Sequence, residues 1–149
     1  MEKDSLNENL ITAWVKLSGI IKNNRITTTL KYNEAIIMFT VYSRYLKDNE
    51  GFTSVQDIIK ETGMLKSLVN RTLGSLEEKG LIEYSVGESD RRTRFVKCVK
   101  EKLDVFLAVH NSSLGVSQSI IDIIGEQDAA TFINIVEKLA NADYKAQPN

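Results

Sequence analysis

Residues 54–80 read SVQDIIKETGMLKSLVNRTLGSLEEKG, which contains two short helical patterns separated by a glycine. Ser54, with an acid three residues later at Asp57, is a close variant of the capping box and predicts the start of a helix. Gly63 predicts the end of that helix, because glycine adopts positive φ without steric cost and lets the chain turn sharply. A second helix is predicted over residues 66–79. The two together are a candidate helix-turn-helix.

At about 100° per residue, the second helix has one apolar face and one small, polar face. The apolar face consists of Leu65, Val69, Thr72, Leu73 and Leu76. The opposite face consists of Ser67, Asn70, Arg71, Gly74 and Ser75. Because Asn pairs with adenine, Arg with guanine, and Ser with a phosphate or a base edge, the polar face suits a helix that enters a major groove of DNA. The alternative is an ordinary amphipathic helix whose polar face is solvated.

A basic hairpin is predicted directly after the helix pair. Gly80 caps the second helix, a strand follows, Gly87 supplies a turn, and residues 94–99 alternate as a returning strand. Residues 91–100 contain five basic residues and no acidic residue. A hairpin of this kind is the wing of a winged helix, which carries Arg or Lys into a minor groove where the phosphate potential is deepest. The alternative is a solvated surface strand.

The net charge of −1 hides a segregation of charge along the chain. Residues 54–100 carry 9 basic and 7 acidic residues, whereas residues 101–149 carry 3 basic and 7 acidic residues. A protein that binds nucleic acid through one edge needs to be basic only at that edge. The middle third of the chain is therefore the predicted basic edge.

The rest of the chain is predicted to be mostly helical, because its only proline is Pro148 and strand-like alternation is confined to the region after Gly80. Further helices are predicted over residues 6–22, over 33–46 with Asn33 as the cap, over 103–125 with a break at Gly115, and from Asp128 onward. The first and the last two of these helices carry more Leu and Ile than one core requires, so they are predicted to form a dimerisation bundle. The alternative is that these helices pack against the winged helix-turn-helix core of their own chain. The expected fold class is mainly α with a small β-wing.

Three motifs occur together: GMLKSLVNR at residues 63–71, LEEKGLI at 76–82 and DRR at 90–92. In this combination, and in its length and flanking helices, the chain closely resembles the MarR family of winged helix-turn-helix transcription regulators. The resemblance spans nearly the whole chain and is most specific between Ser54 and Val96. It implies one domain over residues 1–149, in which residues 33–100 form the winged helix-turn-helix core and residues 1–32 and 101–149 form N- and C-terminal dimerisation helices.

The resemblance also implies a function. Members of the family are homodimers whose two recognition helices enter successive major grooves of a pseudo-palindromic site in double-stranded DNA. They usually repress, and many lose DNA affinity when a small phenolic or anionic effector binds. Arg92 matches the arginine of the wing that enters the minor groove, and Asp90 matches the acid that orients neighbouring basic groups. The predicted DNA-binding residues are Ser54, Lys66, Ser67, Leu68, Asn70, Arg71, Ser75, Arg91, Arg92 and Arg94.

The chain departs from the family's usual pattern at three places. Leu65 stands where relatives often carry a polar cap, so the recognition helix is capped by Ser67, by water or not at all. Leu68 replaces a frequent Thr or Ser, which either weakens a phosphate contact or exchanges it for an apolar contact to a thymine methyl group. Residues 98–102 replace the common Leu-Thr-x-x-Gly pattern, and the loss of its Thr cap leaves the start of the next helix open.

Composition excludes several classes of function. The chain has 149 residues, of which 42% are apolar and 26% charged, and this fits one globular domain. One cysteine and one histidine are too few for a usual zinc site, and no phosphate-binding glycine loop is present, so no metal, cofactor or enzymatic activity is expected. The chain lacks a run of about 18 apolar residues and a signal-peptide core. No membrane association is therefore expected, and the expected location is cytoplasmic.

Several single residues have a functional and a structural interpretation. Cys98 is a candidate redox sensor because of nearby basic residues, but a small strand residue that faces the core is favoured. His110 is a candidate ligand-binding or pH-sensitive group, but a packed or dimer-seam histidine is favoured. Aromatic residues at helical spacing more often build the core than line an effector pocket. The residues in question are Trp14, Tyr32, Phe39, Tyr42 and Tyr45.

A second class of function fits the same pattern. In that interpretation the winged helix associates with an acidic protein partner and has no specific affinity for DNA. Duplex binding that falls steeply with salt, and that is lost on Arg92→Ala, distinguishes a DNA-binding regulator from such a module.

Overall fold

The computed structural model describes residues 3–23, 30–48, 52–86 and 93–142. Along these residues the elements are α1 (Lys3–Asn23), α2 (Tyr32–Lys47), β1 (Thr53–Ser54), α3 (Val55–Thr62), α4 (Lys66–Glu78), β2 (Ile82–Val86), β3 (Arg94–Cys98), α5 (Leu103–Ile124) and α6 (Glu126–Asn141). A short 3-10 helix, Lys100–Lys102, leads into α5, whose start the sequence left open. The predicted fold class is confirmed: the chain is mainly α, with a small antiparallel sheet in a winged helix-turn-helix core.

Two compact units divide the chain after Ser113. The first unit contains the core, in which one face each of α2, α3 and α4 packs with the sheet and the beginning of α5. Its most deeply buried apolar side chains are Ile37, Met38, Val41, Ile58, Val69, Leu73, Leu76, Val96 and Phe106. The second unit contains the rest of α5 and α6, and none of its described residues is buried. The second unit therefore has no core of its own within one protomer.

The turn between α3 and α4 follows from local sequence, as predicted. Ser54 caps α3 by accepting a hydrogen bond from the Asp57 N–H at 3.0 Å. Gly63 ends α3 with φ of 67°, and its N–H donates to the Ile59 carbonyl at 2.9 Å. Leu65 is the N-cap of α4, makes no side-chain capping bond and is 74% exposed. The prediction that Leu65 belongs to the apolar face is wrong, because it lies before the first helical turn.

Gly80 closes the junction between α4 and β2. It has φ of 72°, and its N–H donates to the Glu77 carbonyl at 2.9 Å. The Leu81 N–H donates to the Leu76 carbonyl at 3.0 Å, and both leucines are buried. These two bonds with their apolar contact form the Schellman motif. Since β2 begins at Ile82, α4 and the hairpin are joined without a flexible linker.

The sheet has the strand order β1-β3-β2 and is antiparallel throughout. In the hairpin, Tyr84 pairs with Val96 and Val86 pairs with Arg94. The returning strand confirms the predicted position of the wing. Strand β1 was not predicted, because two residues are too few for alternation to show in the sequence.

Three predicted helix boundaries are wrong. The N-cap of α2 is Lys31 and not Asn33, because the Glu34 carboxylate accepts the Lys31 N–H at 2.9 Å and thereby fixes the first turn. Helix α5 continues through Gly115 to Ile124, since one glycine in a helix costs only about 1 kcal/mol. Helix α6 begins at Glu126, two residues earlier than predicted.

Candidate nucleic-acid interface

One face of α4 packs into the core, so the opposite face points to solvent. Val69, Leu73 and Leu76 are fully buried in the core, which fixes the rotation of the helix about its axis. Five of the predicted DNA-binding residues therefore lie on one accessible side, exposed or half-buried: Lys66, Ser67, Leu68, Asn70 and Arg71. Whether they contact DNA stays a prediction.

Arg94 joins the wing to this face. It lies on the same side of β3 as the buried Val96 and Cys98, because side chains alternate along a strand, but it lies beyond the edge of the core and is exposed. Its guanidinium Nη2 donates to Asn70 Oδ1 at 2.8 Å, and its Cζ lies 5.2 Å from the centre of the Tyr84 ring. Both residues lie on elements that the sequence predicts to face DNA, but the contact between them was not predicted.

Four residues of the predicted wing lie outside the described residues. They are Gly87, Asp90, Arg91 and Arg92. The minor-groove role of Arg92, the contact by Arg91 and the orienting role of Asp90 therefore stay predictions.

Two of the predicted DNA-binding hydroxyl groups already have protein partners. Ser54 caps α3, and the Ser75 hydroxyl donates to Glu34 Oε2 at 3.0 Å. A hydroxyl oxygen also has acceptor lone pairs, so the DNA contacts predicted for Ser54 and Ser75 are not excluded by these bonds. Each hydroxyl has a structural role beside the predicted one.

A buried carboxylate that was not predicted from the sequence connects α2 with α4. Glu34 is 2% exposed, and its two oxygens accept hydrogen bonds from the Lys79 ammonium group at 2.8 and 3.0 Å. Ser75 and the Lys31 N–H complete its set of donors. Burial alone would raise the pKa of the Glu34 carboxyl, but these hydrogen bonds and the positive charge of Lys79 outweigh burial and hold the pKa below its ordinary value. The carboxylate therefore stays ionised and fixes the end of α4 against α2.

The predicted core position of Cys98 is confirmed. The thiol is buried in the sheet, and burial raises the pKa of Cys98 to about 12. Neighbouring lysines do not activate it, since the thiol faces away from solvent while Lys97 bonds to Glu83 at 3.3 Å. A redox-sensing role for Cys98 has no support in this geometry.

We expect Cys98 to react slowly with iodoacetamide at pH 8 in the folded protein, because the thiolate is the reactive form and is scarce far below the thiol pKa. Alkylation is followed by mass spectrometry, and the same protein in 6–8 M urea is the control (roughly the range that unfolds small domains). Equal rates in the folded and unfolded protein would contradict the assignment of Cys98 to the core.

His110 is a packed histidine, as favoured. Its ring stacks on Phe39 with centroids 5.4 Å apart and meets the edge of Tyr42 at 5.2 Å. Tyr42 is buried, whereas Trp14 and Tyr32 are exposed within the protomer. The core interpretation therefore holds for Tyr42 but is wrong for Trp14 and Tyr32.

Within the described ranges, no three His, Cys, Asp or Glu side chains lie close enough together to hold a metal ion. In the same part of the chain, no helix is long and apolar enough to cross a membrane.

Comparison with known proteins agrees with the fold. Residues 44–93 match the model of the MarR family. The chain is 22% identical over 144 residues to YwhA of Bacillus subtilis (strain 168), described as an uncharacterized HTH-type transcriptional regulator; the match covers 94% of this chain and 99% of YwhA.

Solved structures of regulators are similar over most of the chain. The PcaV transcriptional regulator from Streptomyces coelicolor, in complex with its natural ligand, has a TM-score of 0.72 at 12% identity and covers 97% of this chain and 98% of its own. MepR in the S. aureus MepR–DNA complex has a TM-score of 0.72 at 15% identity, with coverage of 88% and 96%. Together with the helix-turn-helix and the hairpin, these similarities show that the chain has a winged-helix fold, within which residues 44–93 match the MarR family.

Proposed function

We propose that the protein is a homodimeric, sequence-specific DNA-binding transcription regulator that acts as a repressor. The proposal rests mainly on one observation: the polar face of α4 and the strand of the wing form a single accessible surface, joined by the 2.8 Å contact between Arg94 and Asn70. Lys66 and Arg71 add positive charge to the same surface. Positive charge attracts the phosphate backbone, and the amide and guanidinium groups between the cations can read base edges.

The proposed homodimer is supported by the apolar side chains that one protomer leaves exposed. Along α1 and α6, none of the described residues is buried. The exposed apolar side chains of these two helices include Leu10, Ile11, Trp14, Val15, Phe132, Ile133, Val136 and Leu139. Contiguous apolar patches of this kind mark interaction surfaces on soluble proteins. A second copy supplies a matching surface, and the resulting two-fold symmetry presents two recognition helices to two half-sites.

The proposed regulator also responds to a small-molecule effector. The PcaV structure was solved in complex with its natural ligand. In the present chain, a cavity of about 560 Å³ is lined by Phe39, Thr40, Ser43, Arg44, Lys47, Asp48 and Glu61. Phe39 supplies an aromatic ring to this cavity. The Arg44 guanidinium is paired with Asp57 at 3.4 Å and with Glu61 at 3.3 Å, so an aromatic anion would bind it by displacing these carboxylates. Titration of a protein–duplex complex with benzoate tests this proposal, and DNA affinity should fall as benzoate is added. Unchanged DNA affinity up to the solubility limit of benzoate would count against an aromatic carboxylate as the effector.

We expect the protein to bind a duplex from the upstream region of its own gene with an affinity that falls linearly, on logarithmic axes, as salt rises. Arg71→Ala removes a predicted base contact and should weaken specific binding by about 1–3 kcal/mol. Arg92→Ala removes the predicted minor-groove contact and should reduce affinity by at least about tenfold. Fluorescence anisotropy at several salt concentrations measures both effects.

Lys138→Ala is the matched control, because it removes the same charge from α6. It should leave DNA affinity unchanged. If the wild-type protein bound no such duplex at low salt, or if all three variants behaved alike, the alternative of a protein-association module would be preferred.

A further inference from the structure

We propose that Arg94 is a positioning residue for base readout: it holds the amide of Asn70 in one orientation, so that base preference belongs to the pair and not to Asn70 alone. The proposal rests on the DNA-binding function proposed above and names how part of its specificity arises. It assigns Arg94 a role beyond the DNA contact expected from its charge.

The orientation of the Asn70 amide follows from the chemistry of its partner. A guanidinium group has five N–H donors and no acceptor, so the group that meets Arg94 Nη2 at 2.8 Å must be the amide oxygen. The usual ambiguity between the oxygen and nitrogen of an asparagine side chain is therefore absent here. The amide nitrogen, with two N–H donors, is the end left for a base.

Arg94 is itself held from a second side. Its Cζ lies 5.2 Å from the centre of the Tyr84 ring, within the range of a cation–π interaction. The hairpin register places Arg94 opposite Val86, and Tyr84 is the diagonal neighbour on the same face of the sheet. Tyr84 is half-buried, which anchors the ring that supports the guanidinium.

The contact can persist on DNA. One N–H of Arg94 bonds to Asn70, which leaves other N–H groups of the guanidinium to bind a phosphate without releasing the amide. A base that faces the amide nitrogen needs an acceptor in the major groove, and adenine, guanine and thymine each have one, whereas cytosine presents only a donor. The pair therefore disfavours cytosine at the position that Asn70 contacts.

The test compares four proteins: the wild type, Arg94→Lys, Asn70→Ala and the double variant. Bound duplexes are selected from a random pool for each protein. Fluorescence anisotropy then measures the affinity for the selected duplex and for duplexes with single base substitutions. Asn70→Ala locates the base position that Asn70 reads. Arg94→Lys keeps the charge but loses the planar fork and its stacking on Tyr84. We expect Arg94→Lys to reduce discrimination at that same position about three- to tenfold, because the Asn70 amide is then free to rotate.

The double variant should discriminate between bases no worse than Asn70→Ala, because Arg94 acts on base preference only through Asn70. Unchanged discrimination in Arg94→Lys, a change at another base position, additive losses in the double variant, or a wild-type preference for cytosine would each overturn the inference. Each of those four results would leave the proposed sequence-specific DNA binding standing. A wild type with no base preference at any position would instead refute the proposed function, and the inference with it. Both substituted side chains are accessible, so equal thermal midpoints verify that the variants are folded.

Discussion

We expect Val136→Glu to make the protein monomeric and to remove its specific binding to DNA. Val136 lies at the centre of the apolar face of α6, between Phe132 and Leu139, and this face is exposed within the protomer. In the proposed dimer the face is covered, and an unpaired carboxylate there costs several kcal/mol, twice in a two-fold interface. Loss of the second half-site should lower DNA affinity by about a hundredfold or more.

Analytical ultracentrifugation measures the association state, and anisotropy measures duplex binding. Asn134→Glu is the control, because it adds the same charge to the opposite, polar side of the same helix. It should remain dimeric and bind DNA. A dimeric Val136→Glu variant would refute the assignment of the α6 apolar face to the dimer interface.

We expect Glu34→Ala to lower the free energy of unfolding by about 3 kcal/mol, because it leaves the donors around a buried carboxylate without their acceptor. The donors are the Lys79 ammonium group, the Ser75 hydroxyl and the Lys31 N–H. This expected loss of unfolding free energy is small for a broken buried ion pair, since the Lys79 side chain is 41% exposed and reaches water. Urea denaturation measures the loss.

Glu83→Ala is the matched control, since it breaks a 3.3 Å ion pair with Lys97 in which Glu83 is half exposed. Exposed pairs contribute about 0–1 kcal/mol, so this variant should be close to the wild type. Equal destabilisation by the two substitutions would contradict the structural role of Glu34.

The contribution of Glu34 should also depend on pH. The pKa of its carboxyl is lower in the folded protein than the ordinary value of 4.5, so the unfolded chain binds more protons and stability rises with pH across this range. The stabilisation is complete above pH 4.5 and is lost as pH falls through the lower folded value. The difference in unfolding free energy between the wild type and Glu34→Gln should therefore shrink below pH 4.5. A difference that stays constant down to pH 2–3 (about the lower limit of folded-state carboxyl pKa values) would show that Glu34 does not titrate as inferred.

The helix-turn-helix could be predicted because its signals are local. The Ser54 cap and the positive φ at Gly63 depend on residues within four positions of each other along the chain. Strand β1 could not be predicted, because its two residues become a strand only by pairing with β3. Leu65 was misplaced for a related reason: helical periodicity does not show at which residue the helix begins.

The polar face of α4 could be predicted from periodicity, but the contacts that fix it could not. Glu34 meets Lys79 across 45 positions, and Asn70 meets Arg94 across 24, so both contacts depend on tertiary packing. For Glu34 one signal was present: the acid shares a helical face with Ile37, Met38 and Val41, which are buried. A lone acid in such a stripe requires a buried cation or several donors.

The closed junction at Gly80 has a consequence for the proposed regulation of DNA binding. Because the Schellman bonds fasten α4 to β2 with no slack, the helix and the hairpin of one protomer tilt together or not at all. In the proposed dimer, the proposed effector should therefore act on the distance between the two DNA-binding helices and not on the reading of a single half-site. A duplex with one extra base pair between its half-sites, which shifts them by about 3.4 Å and a tenth of a helical turn, should mimic the effect of an inducer on wild-type protein.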